Sequence, residues 1–300
     1  MAVRVLGSIN IDVIARVDRL PRPGETVIAS QTLRLPGGKG ANQAVAAARM
    51  GASVALVAAI GDDEGGRWML AGLEAAGVGV AGVAKLEGVP TGSAYITVDA
   101  KGENQIIVAP GANGVFEAAL LPRASPENVV LAQLEVPVAT LAAAFAAPAR
   151  LRMLNAAPAV PEAARLFDRV DILIVNEHEL AAYAGRAESR GLDETVATAR
   201  SLLARPDQLV IVTLGSAGAV AIWRDRHFHA PAMPVEPLDT VGAGDCFCGA
   251  LAALLDEGFA VEQALPIANA AAALCTLSPG AVPAMPSRAA VEAVCCARAT

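Results

Sequence analysis

Apolar residues follow two rhythms along this chain. Short, mostly apolar runs at Val129–Leu134, Leu151–Asn155, Ile172–Val175 and Leu209–Leu214 alternate with stretches rich in alanine and leucine. That spacing predicts parallel strands covered on both faces and joined by crossover helices. Upstream, Val3–Asn10 reads as a first strand and Ala41–Met50 as a helix closed by Gly51. Ser53–Ile60 follows as an apolar strand and Glu64–Ala76 as an amphipathic helix. The second rhythm is alternation. Thr91–Val98 and Asn104–Val108 alternate around Asp99-Ala100-Lys101-Gly102, as in a hairpin. Pro21, Pro23, Gly24 and Pro36 punctuate an early region without helical period. Segments at about 12–36 and 91–108 are therefore expected to form a small second sheet, too thin to stand alone. The expected fold is α/β: one domain over 1–300, a mainly parallel central sheet, and that small sheet as a lid over its ligand edge.

Composition narrows the class. The hydrophobic fraction is 54% and the charged fraction 18%, which suits a covered core rather than disorder. A chain of 300 residues can bury roughly three quarters of its unfolded surface. The net charge is −7 with no basic run, against a nucleic-acid partner. No apolar run reaches the ~18 residues of a membrane span. The cysteines (Cys246, Cys248, Cys275, Cys295 and Cys296) are odd in number and form no C-x-x-C pair. With no signal peptide in view, a reducing, cytoplasmic setting is expected.

Chemistry concentrates in Asp239-Thr240-Val241-Gly242-Ala243-Gly244-Asp245. A glycine-rich turn opening an apolar helix aims unpaired N–H groups and a positive dipole end at one point, which suits a phosphoryl group. Asp245, in or beside the first turn, could accept a proton from an attacking hydroxyl, or could merely cap its helix. In Gly7-Ser8-Ile9-Asn10-Ile11-Asp12, strand period puts Asn10 and Asp12 on one face, either as a hydroxyl-binding pair or as an edge-strand polar face. Gly37-Gly38-Lys39-Gly40-Ala41-Asn42-Gln43 holds one of only three lysines, with Asn42 one helical turn beyond it. It is not a P-loop, because Leu33 and Gly40 stand where Gly and Ser or Thr are needed. No G-x-G-x-x-G follows the first strand, which disfavours a dinucleotide oxidoreductase. Asn176 and Glu179 fall at the carboxyl end of a strand, where open parallel sheets bind ligands. Glu179 could organise Mg²⁺ through water, or simply begin a surface helix. His178 has no second ligand at metal spacing and is expected to be solvated.

These segments, together with Pro23–Thr26, Gly61-Asp62-Asp63, Gly111-Ala112-Asn113, Gln133-Leu134-Glu135, Leu154–Ala159 and Thr213–Ser216, stand in one order along the chain. In that order they resemble the ribokinase (PfkB-type) family of carbohydrate kinases, nearly end to end. The resemblance implies a ribokinase-like three-layer sandwich that transfers phosphate from ATP to the primary hydroxyl of a sugar, with the 5-hydroxyl of D-ribose as the expected acceptor. Alternatives are a family kinase for a nucleoside, 2-deoxyribose or a ketohexose. A sugar-binding regulator without catalysis is disfavoured by the intact Asp245, Gly242 and Gly244.

By the same resemblance the sugar is held by Asn10, Asp12, Gly38, Lys39, Asn42 and Glu135, with Asp245 as base and Gly242, Ala243 and Gly244 as anion hole. ATP would lie along Asn176, Thr213, Gly215, Gly244 and Asn269, with Mg²⁺ near Glu179. A K⁺ site would draw on Asp239, the carbonyl of Val241 and the tail around Cys275, Ser278 and Gly280. Ala284 stands where ribokinases often carry Ser, which removes one oxygen. The lid would close over the sugar and form a homodimer contact.

Overall fold

The computed structural model describes residues 2–297. The chain opens with β1 (Val3–Leu6), β2 (Asn10–Arg16), β3 (Gln31–Gly37) and α1 (Lys39–Arg49). It continues with β4 (Val54–Gly61), α2 (Glu64–Ala75), β5 (Val78–Leu86), β6 (Gly92–Val98) and β7 (Asn104–Ala109). The middle comprises β8 (Val129–Gln133), α3 (Val138–Ala146), β9 (Leu151–Asn155), β10 (Ile172–Asn176), α4 (Glu177–Ala184) and α5 (Leu192–Arg200). The last third holds β11 (Leu209–Thr213), β12 (Ala219–Ile222), β13 (His227–Ala230), α6 (Ala243–Glu257), α7 (Val261–Cys275) and α8 (Arg288–Ala297).

Nine strands form the main sheet in the order β13-β12-β11-β10-β9-β8-β1-β4-β5. All its pairings are parallel except those of β12 with β11 and with β13. Strand period explains why its strands read as continuous apolar runs. Val129 and Leu131 face one core while Val130 and Ala132 face the other; Ile172 and Ile174 oppose Leu173 and Val175 in the same way. The first core lies beneath α1, α6 and α7, and the second beneath α3, α4 and α5. Helices therefore cover both faces of a mainly parallel sheet, as the sequence predicts.

A separate four-stranded sheet has the order β3-β2-β6-β7, with β2 parallel to β6 and antiparallel to β3. Its strands follow the two expected segments to within two residues, with β2 starting at Asn10, β3 ending at Gly37 and β7 at Ala109, and no strand spans 17–30. The expected strands of the main sheet reappear within a residue or two, except the first: Val3–Asn10 is not one strand, since β1 ends at Leu6 and Asn10 opens β2 of the other sheet. Three others were not anticipated. β5 carries Gly79 and Gly82, which dilute its apolar signal, and β12 and β13 have only four residues each. Residues 161–169, expected to be α-helical, form a 3-10 segment opened by Pro161.

The contact that places the site is between α1 and α6. Gly249 on α6 faces the backbone of α1; a Cβ there would overlap the Gln43 carbonyl oxygen and lie 2.6 Å from the Ala46 Cβ. The absence of a side chain lets the two helices approach closely. Gly249→Val should force them apart and destabilise the protein by about 1–3 kcal/mol or more. Urea denaturation followed by circular dichroism measures this, and an unchanged midpoint would refute the packing argument.

Candidate active site

No side chain caps α6. Its N-cap, Gly242, has φ of +78°, and a Cβ there would stand 2.6 Å from that of Ala281. The first turn, Ala243–Asp245, thus opens toward space rather than toward a capping side chain. Asp245 does not cap it. This buried carboxylate turns to α1, accepting from Asn42 Nδ2 at 2.9 Å on Oδ2 and from Gln43 Nε2 at 2.9 Å on Oδ1. The capping alternative is therefore wrong, because α1 lies close enough to claim both oxygens.

Around Asp245 lie the other polar residues of the early chain. Gly38, at φ +88°, precedes α1 directly against the turn from β1 into β2; a Cβ there would stand 2.7 Å from Asn10 N and 2.9 Å from Ser8 O. Lys39 is the first residue of α1 rather than part of a loop. Asp245, Glu135 and Glu179 hold its ammonium above the usual lysine range, against the opposing effect of burial. Glu135 accepts from Lys39 N at 2.9 Å and from the Ser8 hydroxyl. Asn10 is buried and accepts on Oδ1 from Asn113 Nδ2 at 2.8 Å, so its own NH₂ group remains to donate. Burial, then Glu135 and Asp245, push the Asp12 carboxyl up to about 7. An edge-strand polar face would be solvated, and Asn10 is not.

Two cavities meet beside Asp245. The smaller, about 120 Å³, is lined by Lys39, Glu179, Gly242 and Asp245, among others. The larger, about 890 Å³, runs past Gly215 and Asn269 between an apolar wall at 232–235 and α7. Asn176, Thr213 and Gly244 line both. Beyond the neighbouring residues and backbone of its own helix, no atom lies within 4 Å of where a Gly244 side chain would begin, so that space is open to a ligand. Asn176 caps α4, accepting from Glu179 N at 2.8 Å, while its own N–H donates to Glu179 Oε2 at 2.8 Å. Glu179 thus begins a helix and still faces the small cavity. Burial raises its pKa, and the Asn176 N–H and Lys39 oppose the rise. Asn269 donates to Ala230 O at 2.8 Å and so steadies the end of β13. His178 is exposed beside Glu188, as expected.

The turn 239–241 lies against the tail after α7. Asp239 accepts from Val241 N at 3.0 Å and from Gly280 N at 2.8 Å. The Cys275 thiol meets Cys246 of α6, while Ser278 is exposed and Ala284 is buried without a side-chain oxygen. Among the described residues, no group of three or more His, Cys, Asp or Glu could hold a metal ion. No helix of the described residues is long and apolar enough to cross a membrane.

The family model for pfkB family carbohydrate kinases matches residues 2–288. The chain belongs to that family. It is 37% identical to the ribokinase of Bacillus subtilis over 295 residues, 96% of this chain and 97% of the relative. It is 34% identical to the deoxyribokinase of Salmonella typhimurium, covering 96% of each. Its fold is ribokinase-like: it matches the structure of Arabidopsis thaliana ribokinase complexed with ribose and ATP at a TM-score of 0.87. That match has 30% identity over 98% of this chain and 99% of the other. The kinase is an ATP-dependent carbohydrate kinase with a mostly parallel sheet and a small separate sheet.

The site also contains residues that motif reading did not assign. Gln43, Gln133, Asn155, Asn113 and Ser8 are all buried and bonded to the groups above. Their signal was present, since each is polar at the end of an apolar run or in a glycine-rich segment, but only tertiary contact reveals a partner.

The Asp12 carboxyl yields a pH prediction. Its folded pKa of about 7 lies above the ordinary 3.8, so the folded protein retains a proton that the unfolded chain releases. Its contribution therefore favours folding at acid pH and is lost as pH rises through about 7. A sugar hydroxyl would donate to the ionised form, whose charged neighbours are Glu135 and Asp245. KM for the sugar should fall as pH rises from about 6 to about 8, and Asp12→Asn should abolish the trend. A flat wild-type KM over that range would remove Asp12 from sugar binding.

Proposed function

We propose that this kinase phosphorylates the 5-hydroxyl of D-ribose, giving ribose 5-phosphate and ADP, with Asp245 as the base. The observation that carries this reading is the position of Asp245. It is fixed by two amide donors where the small cavity meets the large one. ATP occupies the large cavity along Asn176, Thr213, Gly215 and Asn269, with its phosphates passing Gly244. The N–H groups of Gly242, Ala243 and Gly244 stabilise charge on the moving phosphoryl group. Lys39 adds a fixed positive charge, and Asp245 takes the hydroxyl proton as the new bond to phosphorus forms.

Mg²⁺ fits near Glu179. The described residues form no cage of His, Cys, Asp or Glu, which suits an ion held mainly by phosphates and waters. When bound, it neutralises phosphate charge.

On the sugar side, Asn10, Asp12, Gly38, Lys39, Asn42 and Glu135 supply the contacts. The Oδ1 of Asn42 is buried without a partner, so a hydroxyl that donates to it relieves an unpaired acceptor. A site with such demands rejects analogues lacking hydroxyls, which favours ribose over 2-deoxyribose. None of the six sugar-side residues is aromatic, which disfavours a nucleoside base. The small sheet acts as the lid, and Tyr95, Ile106, Ile107 and Val108 expose an apolar surface on it that supports a homodimer contact. Asp245→Asn should lower kcat by roughly 10²–10⁴ while changing ribose affinity little. Steady-state assays on ribose, 2-deoxyribose and adenosine check this. Near-normal turnover would remove Asp245 as base, and a higher kcat/KM on adenosine would overturn ribose.

Weak activation by K⁺ belongs to the same reading. The carbonyl of Val241, Asp239 and the tail at Cys275, Ser278 and Gly280 would hold the ion by oxygen contacts, with the Cys275 thiol itself turned away. The bonds from Asp239 to Val241 N and Gly280 N already brace the turn, and Ala284 offers no ligand. Activity in a bulky organic-cation buffer should therefore rise only several-fold with KCl, well below the 10²–10³ lost with an oxyanion donor. Ala284→Ser should steepen the response, and a flat titration would mean that no cation acts here.

A further inference from the structure

Gln43 has no solvent exposure, so it cannot touch sugar or nucleotide. Its amide is nevertheless the most fully committed in the site. One N–H donates to Asp245 Oδ1 at 2.9 Å and the other to Asn155 Oδ1 at 3.0 Å. Its Oε1 accepts from Nε2 of Gln133, at the end of β8, at 2.5 Å. Gln133 is likewise fully buried. If the Gln43 amide turned over, its oxygen would face the Asp245 carboxylate and the Asn155 oxygen. Its nitrogen would then face the nitrogen of Gln133. All three contacts would become repulsive, so the chain Gln133–Gln43–Asp245 has one direction.

From this geometry we infer that Gln43, oriented by Gln133, is a positioning residue that holds the Asp245 carboxylate at its working angle. Asn42 fixes the other oxygen, but it comes from the wall that meets the sugar, and its remaining Oδ1 is unpaired. Gln43 supplies the restraint that does not depend on whether sugar is present. It ties the base on α6 to two strand ends, Gln133 of β8 and Asn155 of β9, and through the 3.4 Å bond from Asn155 to Ile174 O also to the middle of β10. A base held by one donor can swing about that bond, and a misplacement of about 1 Å in a reacting group costs about 10²-fold in rate.

The inference rests on Asp245 being the base, and a double-mutant cycle separates the two ideas. Gln43→Met keeps length and volume but removes both donors. It should lower kcat roughly 10–100-fold, with ribose KM changed less than about threefold because Gln43 makes no substrate contact. In an Asp245→Asn background the same change should alter the residual rate by less than about twofold, since Gln43 acts only through Asp245. An equal fold loss in both backgrounds would make Gln43 merely structural, and wild-type kcat in folded Gln43→Met would end the proposal. Should Gln43→Met fail to fold, Gln133→Met removes the donor that sets the amide's direction. Wild-type kcat there would overturn the relay, and a loss confined to the Asp245 background would support it. High activity in Asp245→Asn alone would instead refute the base assignment.

Discussion

A buried carboxylate at the start of α6 is the constraint around which the rest is arranged. Removing an ionised group from water costs several kcal/mol unless donors replace the water. Asp245 is compensated almost entirely by one helix, since both of its side-chain donors come from adjacent residues of α1. That requirement propagates outward. α1 must start where Gly38 fits against the backbone of Ser8–Asn10, and Gly249 must be bare so that α6 comes within reach. The glycines and the amides are therefore parts of one device.

The surrounding charges are unbalanced in the protein alone. Lys39 answers to Asp245, Glu135 and Glu179, and Asp12 adds a fourth carboxyl beside Glu135 and Asp245. The raised pKa values of Asp12 and Glu179 express that crowding together with burial. In the proposed complex, sugar hydroxyls would relieve it on one side of Asp245 by donating, and a divalent ion brought by the nucleotide would do so on the other. Such a site would be poorly satisfied when empty and well satisfied with both substrates, which would favour transfer to sugar over transfer to water.

Much of this was legible in the sequence, and the boundary of what was legible is physical. The alternating β-α-β order followed from unbroken apolar runs, because strands buried on both faces must be apolar at every position. The glycine turn before Asp245 and the Asn176–Glu179 pair were visible because their chemistry is local, fixed within one turn of helix. Gln43 was not visible as a partner of Asp245, since 202 positions separate them and only the packing of α1 on α6 brings them together. The short antiparallel strands β12 and β13 left too few residues to show a period. The second role of Asp245, as helix cap, was a fair local reading that tertiary contact displaced.

The second sheet is joined to the first at the very residues proposed to meet sugar. Only three residues separate the end of β1 from Asn10, the first residue of β2. Asn10 pairs in register with Gly37 on one side and with Gly92 on the other. Asn113 then locks the corner, bonding Asn10 Oδ1 and both the N–H and C=O of Ile9. Gly92 must be bare because a Cβ there would overlap both asparagine side chains. The root of the small sheet and the proposed sugar contacts are thus one structure. A hydroxyl that draws on Asn10 or Asp12 pulls directly on β2, and β2 is bonded on both sides to the sheet that would have to move. On the proposed reading, binding energy from the sugar would reach the small sheet through one strand, without any intermediate element.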